Sequence, residues 1–194
     1  VHWDVINSTS FDFEKRQTWI KILIENTVYG VYPIANVTTN GNGTVLLSMN
    51  GRTERYDLSK NATYKDGVYT LLVKFDTLYA PGNYTMSAVY EADEYYEYSM
   101  NNTDFEIFKR NVTISANATN IKFVEVEYIN ATLSIIIREG EEVNVTELQP
   151  ISGYVRVVLA QDQEYAAKII DGVAKFVIPN LFSAEYKNVE VIYD

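Results

Sequence analysis

The chain has 194 residues, a formal net charge of −10, no cysteine and a single histidine, His2. Without cysteine there are no disulfide staples and no thiol chemistry. One histidine gives neither a Ser-His-Asp triad nor a histidine-based metal cluster a centre. The acidic charge is spread along the chain and Lys and Arg occur at most in pairs, which excludes nucleic-acid binding through a basic face.

In chain order, residues 1–16 form an extended segment in which Val1, Trp3, Val5, Phe11 and Phe13 share one parity, so a strand would turn them to one face. Strands are expected at Ile20–Glu25, Thr44–Met49, Tyr69–Phe75, Tyr84–Tyr90, Lys122–Tyr128, Thr132–Arg138, Tyr154–Leu159 and Val173–Ile178, all mixing β-branched and aromatic residues. Turn signals punctuate them at Asp66-Gly67, Pro81–Asn83, Arg138–Gly140 and Asp171-Gly172, and Asn40–Gly43 reads as a hairpin turn rather than a phosphate loop. No window of eleven or more residues keeps a 3.6-residue period. The fold class is all-β.

An internal repeat organises these strands. Gly43–Met49 matches Gly153–Leu159, Asp66–Leu71 matches Asp171–Phe176, and Leu78–Glu91 matches Leu181–Asp194 without a gap. This reads as two tandem immunoglobulin-sized sandwiches, 17–110 and 111–194. After Glu91 the first runs on through Asn101–Arg110, an alternating segment ending in Lys109-Arg110; the second has no such segment after Asp194. Asn7–Arg16 resembles Asn101–Arg110: a sequon, an alternating strand, then a Lys-Arg pair. Phe11 and Phe13 thus correspond to Phe105 and Ile107. The expectation is that residues 1–16 donate the last strand of the second domain of the next subunit or repeat. The two Lys-Arg pairs read as charged ends of edge strands.

Asn-x-Thr occurs ten times, at Asn7, Asn36, Asn42, Asn61, Asn83, Asn101, Asn111, Asn117, Asn130 and Asn144, where chance would give roughly two. All ten use Thr. The excess points to an exposed, N-glycosylated protein, with the asparagines on outward faces or turns. The acidic runs Glu91–Glu94 and Glu139–Glu142 suggest calcium, but lack the ordered ligand spacing of a dedicated loop, so a solvated surface is the simpler reading. No cofactor is expected. Carboxylates are plentiful, yet nothing singles out a catalytic pair, and domains of this size are small for a sugar-cleaving cleft. The chain is not read as an enzyme. Lys21 and Lys74, set in apolar strands, are the residues to consider for a spontaneous Lys–Asn crosslink.

Leu78–Tyr96 followed by Asn101–Ile107 resembles bacterial Ig-like repeats, in particular those of the large adhesin-like surface proteins of methanogenic archaea. The shared pattern is a Gly-Asn-Tyr-Thr turn into a strand, an acidic Tyr-x-x-Asp turn and a closing Phe-x-Val strand. The second half keeps it at Ile178–Leu181 and Val191–Asp194, but Glu185 and its neighbours replace Gly82-Asn83. The resemblance implies an Ig-like fold and a cell-surface location. The architecture is also similar to that of archaeal thread filaments joined by strand donation.

The functional expectation is a structural subunit of an extracellular filament or pilus-like fibre, a head-to-tail homo-oligomer. The alternative is one repeat of the stalk of a giant surface adhesin; a third reading is an ordinary two-domain fragment with a shortened second sheet. A host-cell or surface ligand is compatible with either of the first two. No nucleic acid is expected as a partner. No apolar stretch has membrane-spanning length, and any secretion signal would have been removed before Val1.

Overall fold

The computed structural model describes residues 8–120, 122, 125–159, 163–179, 181 and 189–193. By contacts the chain divides into two compact units, Val1–Thr27 with Tyr32–Phe108, and Val28–Val31 with Lys109–Asp194.

The first unit contains β1 (Ile20–Ile24), β2 (Thr27–Val28), β3 (Ile34–Thr39), β4 (Thr44–Met49), β5 (Arg52–Asp57), α1 (Leu58–Asn61), β6 (Thr63–Lys65), β7 (Val68–Lys74), β8 (Gly82–Tyr90) and β9 (Ser99–Phe108). One sheet has the order β1-β3-β7-β6, the other β2-β9-β8-β4-β5. Period-two alternation builds the sandwich core. Ile20, Ile22 and Ile24 turn inward while Lys21 and Leu23 face out, and Val45, Leu47 and Met49 do the same on β4. At the short helix Asp57 serves as N-cap, accepting from the Ser59 amide at 3.0 Å, and Leu58 is buried.

The second unit contains β10 (Val112–Asn117), β11 (Glu127–Ile135), a 3-10 turn at Val145–Glu147, β12 (Tyr154–Leu159), β13 (Gln163–Ile170), β14 (Val173–Ile178) and β15 (Glu190–Tyr193). They form one sheet, β10-β11-β14-β13-β12-β15, wrapped round its own core. The wrap is made by β13, whose residues 163–168 pair with β12 while Ile169 and Ile170 pair with β14. The buried cluster joins Ile129 and Leu133 on β11, Val155 and Val157 on β12, and Phe176 and Ile178 on β14.

The repeat is reproduced in register. Val45 faces Tyr90 across β4 and β8, and Val155 faces Tyr193 across β12 and β15. The Asp66-Gly67 and Asp171-Gly172 turns both place two successive residues at positive φ (51° and 84°, 51° and 77°), as two-residue hairpins require.

Two expectations are corrected. Asn40–Gly43 is not a hairpin turn, because β3 and β4 lie in different sheets. Its glycines allow close approach instead: a Cβ on Gly43 would fall 2.5 Å from the Tyr90 hydroxyl. The expected strands Lys122–Tyr128 and Thr132–Arg138, of which residues 123 and 124 lie outside the described residues, are not separate where they are described. A single strand, β11, spans the expected gap, since burial alternates unbroken through Glu127, Ile129, Ala131 and Leu133. Conversely, β5 and β13 carry polar residues on their outer faces and offer a weak apolar signal.

Candidate functional site: a free strand edge and an unpaired N-terminal strip

In the first unit β8 is paired on both sides. β4 holds residues 86–90, and β9 runs the full length of β8, from Gly82 opposite Ile107 to Tyr90 opposite Ser99. The inward residues of β9, Phe105 and Ile107, are 4% and 2% exposed, and the Tyr84 ring stacks on Phe105 with centroids 5.7 Å apart. At the other end of β8 Tyr90 is fully buried, its ring edge to face with Tyr96.

The equivalent strand of the second unit, β15, pairs with β12 through Glu190–Tyr193 and has no strand on its other side among the described residues. Val191, Ile192 and Tyr193 are consequently only half-buried. Tyr193 keeps one anchor, donating from its hydroxyl to the Ser152 carbonyl at 3.1 Å. In general a strand edge without a partner presents backbone groups to which a further strand can pair.

The N-terminal segment begins its ordered attachment at Arg16. Its amide donates to the Tyr95 carbonyl at 2.8 Å, its carbonyl accepts from the Glu97 amide at 3.0 Å, and Thr18 donates to the Glu97 carbonyl at 2.8 Å. Residues 8–15 ahead of it belong to no strand. Phe11 and Phe13 are 80% and 93% exposed, and their rings stand edge to face with centroids 6.2 Å apart. Val1, Trp3, Val5, His2 and Asn7 lie outside the described residues.

Eight of the sequon asparagines are exposed: Asn42, Asn61, Asn83, Asn101, Asn111, Asn117, Asn130 and Asn144. Asn117 and Asn130 are direct cross-strand partners. Asn144 caps the 3-10 turn, its Oδ1 accepting from the Thr146 amide and hydroxyl at 3.3 and 2.8 Å. Asn36 differs. It is half-buried, and its Oδ1 is enclosed with no hydrogen-bond partner.

Several charged residues do structural work that sequence alone did not assign. Arg110, read as the charged end of an edge strand, is instead 4% exposed in its side chain. It donates to the carbonyls of Tyr29 and Ile136 at 2.6 and 2.8 Å and pairs with Glu141 at 2.6 Å. That hydrogen bond from Arg110 holds the Glu141 carboxyl below its ordinary range. Asp93 accepts from the amides of Tyr95 and Tyr96, both at 2.8 Å, and from the Tyr90 hydroxyl at 3.3 Å. Burial, with the Asp93 charge beside it, pushes the Tyr90 hydroxyl up to about 12. Glu91 pairs with Arg55 at 2.7 Å. Within these acidic runs Glu91, Asp93 and Glu141 make such contacts, while Glu94, Glu139 and Glu142 are exposed as expected of a solvated surface. Among the described residues no group of three or more acidic, His or Cys side chains could hold a metal. Lys21 and Lys74 sit on outward faces, and Lys21 lies 5.6 Å from the Trp19 ring centre. A single buried basic residue in a Lys-Arg pair leaves little trace in sequence; the acidic partner thirty-one positions on was the available clue.

No family model and no curated protein matches the chain. Among solved structures it is similar to Bacteroides uniformis beta-glucuronidase 3 (14% identity, 82% of this chain, 21% of that one, TM-score 0.34). It is also similar to dimeric latent PorU from Porphyromonas gingivalis (13% identity, 82% and 17%, TM-score 0.36). A third likeness is to the fibronectin(III)-like modules of Clostridium thermocellum CbhA (13% identity, 89% and 90%, TM-score 0.32). The chain spans about a fifth, 21% and 17%, of the length of the first two. Likenesses this distant assign no activity, and the β-sandwich description rests on the strand pairing of the chain itself. No helix among the described residues is long and apolar enough to cross a membrane.

Proposed function

We propose that this chain is a structural unit of an extracellular, N-glycosylated filament, assembled head to tail by strand donation. The observation that carries the reading is the contrast between β8, paired on both edges, and β15, paired on one among the described residues. The strip that resembles β9 in sequence, Asn7–Arg16, holds Phe11 and Phe13 out in solvent. Laid beside β15 of another copy, it would insert Phe11 and Phe13 where Phe105 and Ile107 sit in the first unit. Each large apolar side chain so buried contributes about 1.5–3 kcal/mol, and a ladder of main-chain hydrogen bonds adds to it. Donor and acceptor are different surfaces, so the contact is heterologous and propagates unless it closes into a ring. The role is mechanical and requires no catalytic residue or cofactor, and the sequon density fits an exposed surface fibre.

The internal repeat favours a second reading: the donor strip arrives covalently, as the start of the next repeat in the stalk of a long surface adhesin. The mass of the fully denatured protein from its native source, before and after deglycosylation, separates the two. A polypeptide near 22.2 kDa plus glycan, from fibres visible by electron microscopy, would mean separate subunits joined by strand donation. A mass many times larger assigns the tandem array. A chain of that small mass that remains monomeric under all assembly conditions overturns strand donation.

A further inference from the structure

We propose that the outward face of the β1-β3-β7 sheet is the seat of an N-linked saccharide carried by Asn36, which lies across Leu23 and Leu72. The inference rests on the glycoprotein reading above and adds to it a specific site and contact. Leu23 is the direct cross-strand partner of Asn36 on β1, and Leu72 is its partner on β7. Side chains paired in this way stand on the same face of a sheet. Both leucines point outward, 61% and 65% exposed, although the same strands bury Ile22 and Val73 on the inner face. Ile34, two residues before Asn36 and so on the same face, is 52% exposed. Three aliphatic side chains therefore surround one amide in the middle of a strand.

The Oδ1 of Asn36 is enclosed, and a saccharide would attach at the other amide atom, Nδ2. A pyranose ring attached at Nδ2 presents a C–H face to leucine methyls and directs its hydroxyls to water. Strand spacing puts Leu23 and Leu72 about 10 Å apart with Asn36 between them, which one or two sugar rings span. The sequons at Asn130 and Asn83 lack such a seat. Asn130, on β11, is flanked by Asn117 and Lys175, and Asn83, on β8, faces Glu106. Their saccharides would extend into solvent, whereas the one on Asn36 shields apolar surface that would otherwise invite association.

The test uses the full chain from a glycosylating source, compared with Thr38→Val, which removes the sequon and keeps Asn36. Glycopeptide mass spectrometry is expected to find Asn36 occupied. Nuclear Overhauser contacts should join protons of the first sugar ring to the methyl groups of Leu23 and Leu72. T38V should melt several degrees lower than the wild type, and the two should melt alike when both are produced in a host without N-glycosylation. Occupied exposed sequons with Asn36 bare would overturn this proposal alone, and so would an occupied Asn36 without sugar–leucine contacts. A protein with no occupied sequon would overturn the glycoprotein reading as well. Self-association abolished by Leu23→Ser and Leu72→Ser, with Asn36 bare, would assign the face to a second copy instead.

Discussion

Tyr90 and Tyr193 hold the same station in the two units, opposite Val45 and Val155 respectively, yet Tyr90 is shut off from solvent and Tyr193 is half open. The valines opposite them are alike; the Tyr90 ring packs edge to face on Tyr96 and donates to Asp93, and β9 pairs beside it at Ser99. Gly43 and Gly153 even repeat the glycine that meets each ring. β9 pairs with β8 as far as Tyr90, and the described residues supply no strand in that place beside Tyr193.

Replacing both Phe11 and Phe13 by Asp should abolish filament formation while leaving the first unit folded. Both side chains are exposed in the isolated chain, so their loss removes no internal packing, but two charges cannot enter an apolar groove without a large desolvation cost. Electron microscopy reads assembly and circular dichroism reads folding. Normal fibres from this variant would refute the donor role.

Gly43→Ala should destabilise the first unit by about 1–3 kcal/mol, the usual cost of overpacking. The added methyl would lie 2.5 Å from the Tyr90 hydroxyl and 2.9 Å from an Asp93 carboxylate oxygen, so the ring or the Asp93 turn must move. Gly153→Ala meets the Tyr193 ring at only 3.7 Å, but its backbone at φ 108° imposes strain there instead. Thermal denaturation of each variant measures the cost, and near-UV dichroism should register displacement of Tyr90 in G43A alone.

Glu141→Gln should cost about 3 kcal/mol at neutral pH, because it leaves the Arg110 guanidinium buried without its counter-charge. The Glu141 carboxyl is held low in the folded protein, so its contribution is present above the ordinary carboxylate range and lost as pH falls through the lowered value. The stability gap between wild type and E141Q should therefore narrow on acidification. Denaturant titrations across the acid range check this, and a gap independent of pH would contradict the pairing.

Tyr90 makes the opposite prediction at high pH. Its hydroxyl titrates near 12 when folded and near 10.0 when unfolded, so the neutral form stabilises the fold below 10 and that contribution is lost between the two values. Tyr90→Phe removes this linkage. Its stability should decline less steeply with alkali than that of the wild type, measured by ultraviolet difference titration alongside unfolding.

Much of the fold was legible because strand periodicity is a local property. The inward residues of β4, β8, β12 and β14 follow from alternation alone, and the two Asp-Gly turns announce positive φ by their chemistry. Asn40–Gly43 was misread because glycine serves both tight turns and close approach, and only the position of the Tyr90 ring distinguishes them. The Asn36 site was legible as a sequon, but not as an amide between two exposed leucines.

Sequence by itself thus determined the all-β class and the two Asp-Gly turns, since these depend on side-chain pattern along one chain. It also singled out a segment, Asn7–Arg16, with the pattern of β9. Tertiary structure decided what depends on neighbours distant in the chain: that Arg110 is buried against Glu141, that Asn36 sits between Leu23 and Leu72, and that Phe11 and Phe13 stay in water beside no strand. Pairing and burial are relations between segments, and a linear pattern records only what each segment is ready to do.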